Sequence, residues 1–183
     1  MSGFHPNTER LIDYWRTRGG DGRLPSRTSI SPADFSELIT QVFILGRVAT
    51  GIYPVRLAGG LVADLHQRDL RAQNGLSLFR ERDRLELQTA LETARRRPEP
   101  IVATVDVLTE GPGLEMEILF APLAGASGST ERFLGLYQPL GMLARLRGQR
   151  VTGFALKKIS GTGPANEEFP RLRLAAVDGR RIA

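Results

Sequence analysis

The sequence predicts an α+β fold in which one antiparallel sheet of five strands carries helices on one face. Three observations lead there. Two short β-prone runs near 42–48 and 52–58 are joined at Ala49-Thr50-Gly51 and read as a hairpin. From Gly59 to about Arg97 strand-like alternation disappears, and the stretch closes in a helical pattern. Three alternating runs near 101–109, 114–123 and 132–139 then follow at hairpin spacing. Two hairpin blocks around helices favour an antiparallel sheet, and the helical stretch lets the last strand return beside the first.

Asn7 or Thr8 is placed to cap the first helix, in which Leu11, Ile12, Tyr14 and Trp15 form an apolar stripe among Glu9, Arg10, Asp13 and Arg16. Gly19-Gly20-Asp21-Gly22 stops it. A link through Pro25 reaches Ser31-Pro32-Ala33-Asp34, where Ser31 can cap, Pro32 suits the first helical position and Asp34 can reach back to a free amide. Phe35, Leu38, Ile39 and Val42 line one face of this second helix. At Val42-Phe43-Ile44-Leu45 the period changes, and Gly51 separates this run from Ile52-Tyr53-Pro54-Val55-Arg56-Leu57. Pro54 has no amide hydrogen to give a sheet, so its strand belongs at an edge or carries a bulge.

Leu61, Leu65 and Leu70 mark short helical turns, and Asn74-Gly75 marks a turn. Between Arg82 and Arg97, Leu87, Leu91 and Ala94 share a helix face, joined by Leu85 and Ala90, until Pro98 and Pro100 end it. Ile101, Ala103, Val105 and Val107 alternate with Thr104 and Asp106, and Gly111-Pro112-Gly113 reverses the chain. Leu114-Glu115-Met116-Glu117-Ile118 alternates with both carboxylates toward solvent. Gly125-Ala126-Ser127-Gly128-Ser129 is a hairpin loop, and Arg132 to Leu140 is the last strand. A basic connector (Arg145, Arg147, Arg150), the apolar run Val151 to Leu156 and a Gly- and Pro-punctuated tail complete the chain. That tail is expected to be irregular and partly disordered. The division is a helical N-terminal extension over 1–40, the sheet domain over 41–140 and a basic C-terminal tail over 141–183.

At 183 residues, 41% of them hydrophobic, the chain fits one domain with a sizeable core. No apolar run approaches the roughly 18–20 residues of a membrane span, and the N-terminus lacks a secretory pattern, so a cytoplasmic protein without membrane contact is expected. With no cysteine, disulfides, thiolate zinc sites, iron–sulfur clusters, cysteine nucleophiles and flavin–cysteine adducts are excluded for this chain. The net charge of +5 comes almost wholly from arginine, as a GC-rich bacterial genome tends to encode. Twenty acids are interspersed and no like-charge block exceeds three residues, so a solvated surface is favoured over a nucleic-acid face.

Several weak motifs agree in order and spacing: Leu11-Ile12-Asp13-Tyr14-Trp15, Leu24-Pro25-Ser26-Arg27, Ile30-Ser31-Pro32-Ala33-Asp34 and Tyr53-Pro54-Val55-Arg56-Leu57-Ala58-Gly59. Over roughly residues 8 to 140 the chain resembles a family of single-domain bacterial PAS proteins that open with a Tyr-Trp helix and a Pro-x-Arg linker. It departs from them at Arg68-Asp69-Leu70-Arg71-Ala72, where a Leu-Thr-Gly turn is expected. The resemblance implies a PAS-like sheet with a cavity beneath its helices, a sensory or regulatory role, and an N-terminal helix that covers the outer sheet face and contributes to dimers.

No catalytic set assembles. His66, flanked by Asp64 and Asp69, has the chemistry of a haem or metal ligand, but a lone ligand without partners reads as an exposed or structural residue; His5 is the only other histidine. Ser127 lacks the spacing of a nucleophile elbow, and Gly161-Thr162-Gly163-Pro164 reads as a loop rather than a dinucleotide site. Glu115 and Glu117, at alternate positions, read as surface acids. The chain is therefore expected to be non-enzymatic, without metal or cofactor, and to show no haem or flavin absorbance.

Positions two apart on a strand share a face. On that basis an apolar cavity is expected among Phe43, Leu45, Tyr53, Val55, Leu57, Leu91, Phe120 and Leu136, open to a small apolar ligand. Arg56, alone on an apolar strand, faces either an acidic ligand or a neighbouring acid. Leu11, Ile12, Tyr14 and Trp15 either pack on the chain's own sheet or form a homodimer, and the dimer is the expectation carried forward. Output would pass to an unidentified signalling protein. The alternative is a basic nucleic-acid-binding regulator using Arg95-Arg96-Arg97, Arg145, Arg147, Arg150 and the tail.

Overall fold

The computed structural model describes residues 3–20 and 23–163; the disorder expected over 164–183 lies outside the described residues. Helix α1 (Pro6–Gly19) leads through a 3-10 segment (Pro32–Gln41) to the hairpin β1 (Val42–Gly46) and β2 (Val55–Ala58). Helix α2 (Gly60–His66), a 3-10 turn (Gly75–Leu78) and helix α3 (Glu81–Arg96) follow. Strands β3 (Ile101–Leu108), β4 (Glu115–Ala124), β5 (Thr130–Pro139) and β6 (Gly153–Gly161) then complete one antiparallel sheet in the order β2-β1-β5-β4-β3-β6. The α+β class, the five strands and the return of β5 beside β1 agree with the sequence.

The sixth strand was not foreseen. It arises from the segment expected to be an irregular tail, where Val151–Leu156 had shown only as a short apolar run. β3 buries Ile101, Ala103, Val105 and Val107 on one face, and without β6 its outer row of backbone groups would form an open edge. β6 pairs with it from Ile101↔Gly161 to Leu108↔Gly153, and Phe154 is fully buried. Lys157 and Lys158 now mark the sheet's edge, and Lys157 pairs with Glu115 and Asp106.

Strand alternation divides the interior in two. On one face Phe43, Ile101, Ala103, Met116, Ile118, Phe120, Phe133, Tyr137 and Phe154 meet Leu87, Ala90, Leu91 and Ala94 of α3. On the other, Val42, Val102, Leu119, Ala121, Leu123, Leu134 and Leu136 lie beneath Leu11, Ile12 and Trp15 of α1 with Phe35 and Leu38. Leu85 does not join the α3 stripe; it is 60% exposed.

The helix starts differ from expectation in detail. His5 caps α1 by accepting the Asn7 amide on Nδ1 at 3.2 Å, ahead of the predicted cap residues. The second helix is a 3-10 segment kinked at Phe35, and Ser31 makes no side-chain cap bond. Asp34 instead accepts from the Tyr14 hydroxyl at 3.0 Å and from Arg18 at 2.5 Å, tying the segment to α1.

Glu117 is not a surface acid. It points to the α1 side of β4, is buried, and both its oxygens accept the His5 amide at 3.1 Å. A carboxylate at the start of a helix meets free N–H groups and the positive end of the helix dipole, which makes burial tolerable there.

Candidate ligand cavity

β1 lies between the edge strand β2 and β5. Its Phe43 ring lies across Gly135 of β5, where a side chain would overlap the ring. Phe43 packs edge-on against Phe120 at 5.8 Å and Tyr137 at 5.2 Å between centroids. Under these rings is an apolar cavity of about 20 Å3, bounded by Phe43, Leu45, Val55, Ile118, Phe120 and Tyr137 from the sheet. Val62, Leu70, Gly75, Leu78 and Phe79 close it from the helical side. That volume admits about one water molecule, so any larger occupant must displace side chains.

Phe43, Leu45, Val55 and Phe120 line the cavity as the sequence suggested. Tyr53 and Leu91 are buried in the same core without lining it. Leu57, Arg56 and Leu136 are corrections. A bulge sets Leu45 opposite Val55 but Ile44 opposite Leu57, so Arg56 is the extra residue and the alternation flips after it. Leu57 is consequently 44% exposed. Arg56 turns outward along Gly46 and has no ion-pair partner among the described residues. Leu136 lies opposite Leu119 and packs beneath α1, whereas Tyr137, opposite Ile118, faces the cavity.

His66, expected to be either exposed or structural, is a core residue. It is fully buried at the end of α2, with its ring against Phe154 (5.6 Å) and its Nε2 sharing a 3.2 Å hydrogen bond with the Tyr137 hydroxyl. Among the described residues Nδ1 has no hydrogen-bond partner. Burial, helped by the charge of Arg68 and opposed by the Val151 backbone, lowers its pKa to about 4. Burial also raises the pKa of Tyr137. The pair therefore sits neutral beside the cavity.

A second buried polar cluster braces the hairpin against α3. Glu92 accepts from the Tyr53 hydroxyl at 2.5 Å, from Arg47 at 2.8 and 3.1 Å and from Arg95 at 2.9 Å. Burial alone would raise the Glu92 pKa; the bonds from Arg47, Tyr53 and Arg95 outweigh it and hold it at about 2. Arg95 is thus engaged within the chain rather than displayed to a polyanion.

The stripe on α1 is engaged too. Leu11, Ile12 and Trp15 are buried against the sheet, and the Trp15 indole donates to the Pro122 carbonyl at 2.6 Å. Tyr14 is half-buried, edge-on to Phe35 at 5.2 Å, with Arg18 over its other face. These side chains cover the chain's own sheet and do not present an apolar patch to a second copy.

Outside the cavity, between α2 and the segment after it, lies an open groove of about 600 Å3 lined by Ala58, Ala63, Asp64, Gln67, Arg68, Asp69, Leu70 and Arg71. Hydrogen bonds from Arg71 hold the exposed Asp69 at a pKa of about 2.

The cavity does not fit a haem or a flavin. A haem or flavin exceeds its volume many times over, the imidazole nitrogen nearest Tyr137 is already hydrogen-bonded, and the chain has no cysteine for a flavin adduct. Among the described residues no group of three or more potential metal ligands occurs.

A family model described as "PAS domain" matches residues 3–138. No curated protein matches the chain. Among solved structures it is similar to a Rhodobacter sphaeroides LOV protein, at 12% identity over 64% of this chain and 72% of that one, with a TM-score of 0.46. It is also similar to the dark form of the blue-light photoreceptor Aureochrome1 LOV, at 11% identity, 61% and 84% coverage and a TM-score of 0.47. An RNA-binding Light-Oxygen-Voltage receptor matches at 13% identity over 66% of this chain and 35% of its own, with a TM-score of 0.47.

Proposed function

The chain belongs to the PAS domain family, and from that premise we propose that it is a non-enzymatic, cytoplasmic sensory module whose inner cavity accepts a small apolar ligand. The observation that carries this reading is the all-apolar cavity between sheet and helices, beside a neutral, buried His66–Tyr137 pair. Its small volume makes the module a population-shift device: ligand binds and stabilises a conformation with the core opened.

The strands offer a route outward. Tyr137 borders the cavity while its neighbour Leu136 lies beneath α1, and Gln138 accepts from the Asn7 amide group of α1 at 3.0 Å. On β4, Ile118 and Phe120 face the cavity while Glu117 and Leu119 face α1. Displacing the cavity rings therefore shifts the seat of the N-terminal helix, which we assign as the surface read by a signalling partner.

Native mass spectrometry of freshly purified protein tests the reading. A retained small molecule, or a mass shift with single-ring hydrocarbons, is expected. A chain that carries nothing and whose unfolding temperature no apolar compound raises would refute it. The same spectra report oligomeric state; a homodimer would have to use surfaces other than the buried Leu11, Ile12 and Trp15.

A further inference from the structure

We infer that residues 67–73 form the strap through which ligand enters the cavity, with Leu70 as its gate; this rests on the cavity reading above. Leu70 is the one described residue that lines both the inner cavity and the open groove. It is 2% exposed, so its side chain is the wall between them.

The backbone around it is strained. Three described non-glycine residues have positive φ, and two of them, Gln67 at 49° and Ala72 at 64°, bracket Leu70. A left-handed alanine brings its Cβ against the following carbonyl and has no side-chain hydrogen bond to compensate. Such strain persists only where surrounding contacts hold it. Here the polar contacts are hydrogen bonds and one exposed ion pair. Ala72 donates to the Val55 carbonyl at 2.9 Å, Val55 donates back to Gln73 at 2.8 Å, and the Gln73 amide donates to the Leu70 carbonyl at 3.0 Å. Gln67 Nε2 donates to the Gly148 carbonyl at 2.9 Å, Gln73 Nε2 donates to the Asp69 carbonyl, and the Asp69–Arg71 pair spans Leu70. The partner strand, β2, is itself an edge of the sheet.

Swinging Leu70 into the groove joins the two spaces and vacates its side-chain volume beside the cavity. An apolar void of about 150 Å3 accommodates benzene, which sets the ligand class at one uncharged ring. The charged rim of Asp64, Arg68 and Arg71 stays in water.

Benzene, titrated calorimetrically into the full chain with amide hydrogen exchange followed in parallel, tests this. Leu70→Ala is expected to bind at least tenfold tighter than wild type. Ala72→Gly relieves strain only in the closed strap, so it should fold and bind about threefold more weakly. In the wild type, benzene should speed exchange of the Ala72 and Val55 amides. Tighter binding by Leu70→Ala without the other two effects is mere enlargement of the cavity and overturns the gate, leaving the cavity reading intact. Binding to neither wild type nor Leu70→Ala overturns both. Should Leu70→Ala fail to fold, Ala72→Gly and the wild-type exchange still decide.

Discussion

Lowering the pH from 7 to 4.5 is expected to destabilise the fold by about 2.5 kcal/mol through His66 alone. The imidazole is fully buried among Tyr137, Phe154 and the end of α2, and its pKa falls from 6.5 to about 4. The folded pKa lies below the unfolded one, so as pH drops the unfolded chain takes up the proton first. Stability is therefore full above pH 6.5 and is lost progressively toward pH 4, at about 1.4 kcal/mol per unit in the steep part. Glu92, held at about 2 against an ordinary 4.5, loses its contribution as pH falls through 4.5 toward 2, so most of the window from 7 to 4.5 belongs to the histidine. Urea unfolding at pH 7, 5.5 and 4.5 is the assay; with a slope of about 2 kcal/mol per molar, the midpoint should fall by about 1 M. His66→Gln keeps a polar group opposite Tyr137 but cannot titrate, so its midpoint should be nearly flat across the window. A wild type without the slope, or a variant with the same slope, would refute the placement of His66 in the core.

Two further outcomes follow from the packing. Trp15→Ala should cost about 3–5 kcal/mol in urea unfolding, as a buried indole and its bond to Pro122 are lost. Trp15→Glu should cost more, because the charge would be buried against the sheet; a Trp15→Glu chain of wild-type stability would show that α1 does not sit there. Gly135→Ala should destabilise by about 1–3 kcal/mol, since the new methyl group meets a Phe43 ring already confined by Phe120 and Tyr137. Adding Phe43→Leu should recover part of that loss in a double-mutant cycle, and strict additivity would rule the contact out.

Elements with a single strong period were legible. The α3 stripe of Leu87, Leu91 and Ala94 and the alternation of β3 are local patterns that a chain meeting one core must show. The candidate cavity was legible only in half. On β5, Phe133, Leu134, Leu136 and Tyr137 are all apolar because both faces of that strand are covered, so nothing in the run distinguishes the cavity side from the α1 side. On β2 the bulge at Arg56 reversed a parity that Tyr53, Val55 and Leu57 had seemed to share. His66 ends the short helix α2 and Leu70 lies in the irregular segment after it, where no period existed to assign a direction.

Composition, cysteine count and local periodicity by themselves determined the α+β class, the five strands, the helix before β3 and the apolar character of the cavity, because each is a property of residues near one another in the chain. Tertiary structure alone decided that β6 closes the β3 edge, that Glu117 is buried at the start of α1, that Trp15 serves its own sheet, and that His66 reaches Tyr137. Each of those depends on which distant segment supplies the hydrogen-bond partner or the apolar cover. A residue's preference for burial is written locally, but its partner is set by pairings that span 112 residues from His5 to Glu117 and 131 from Asn7 to Gln138.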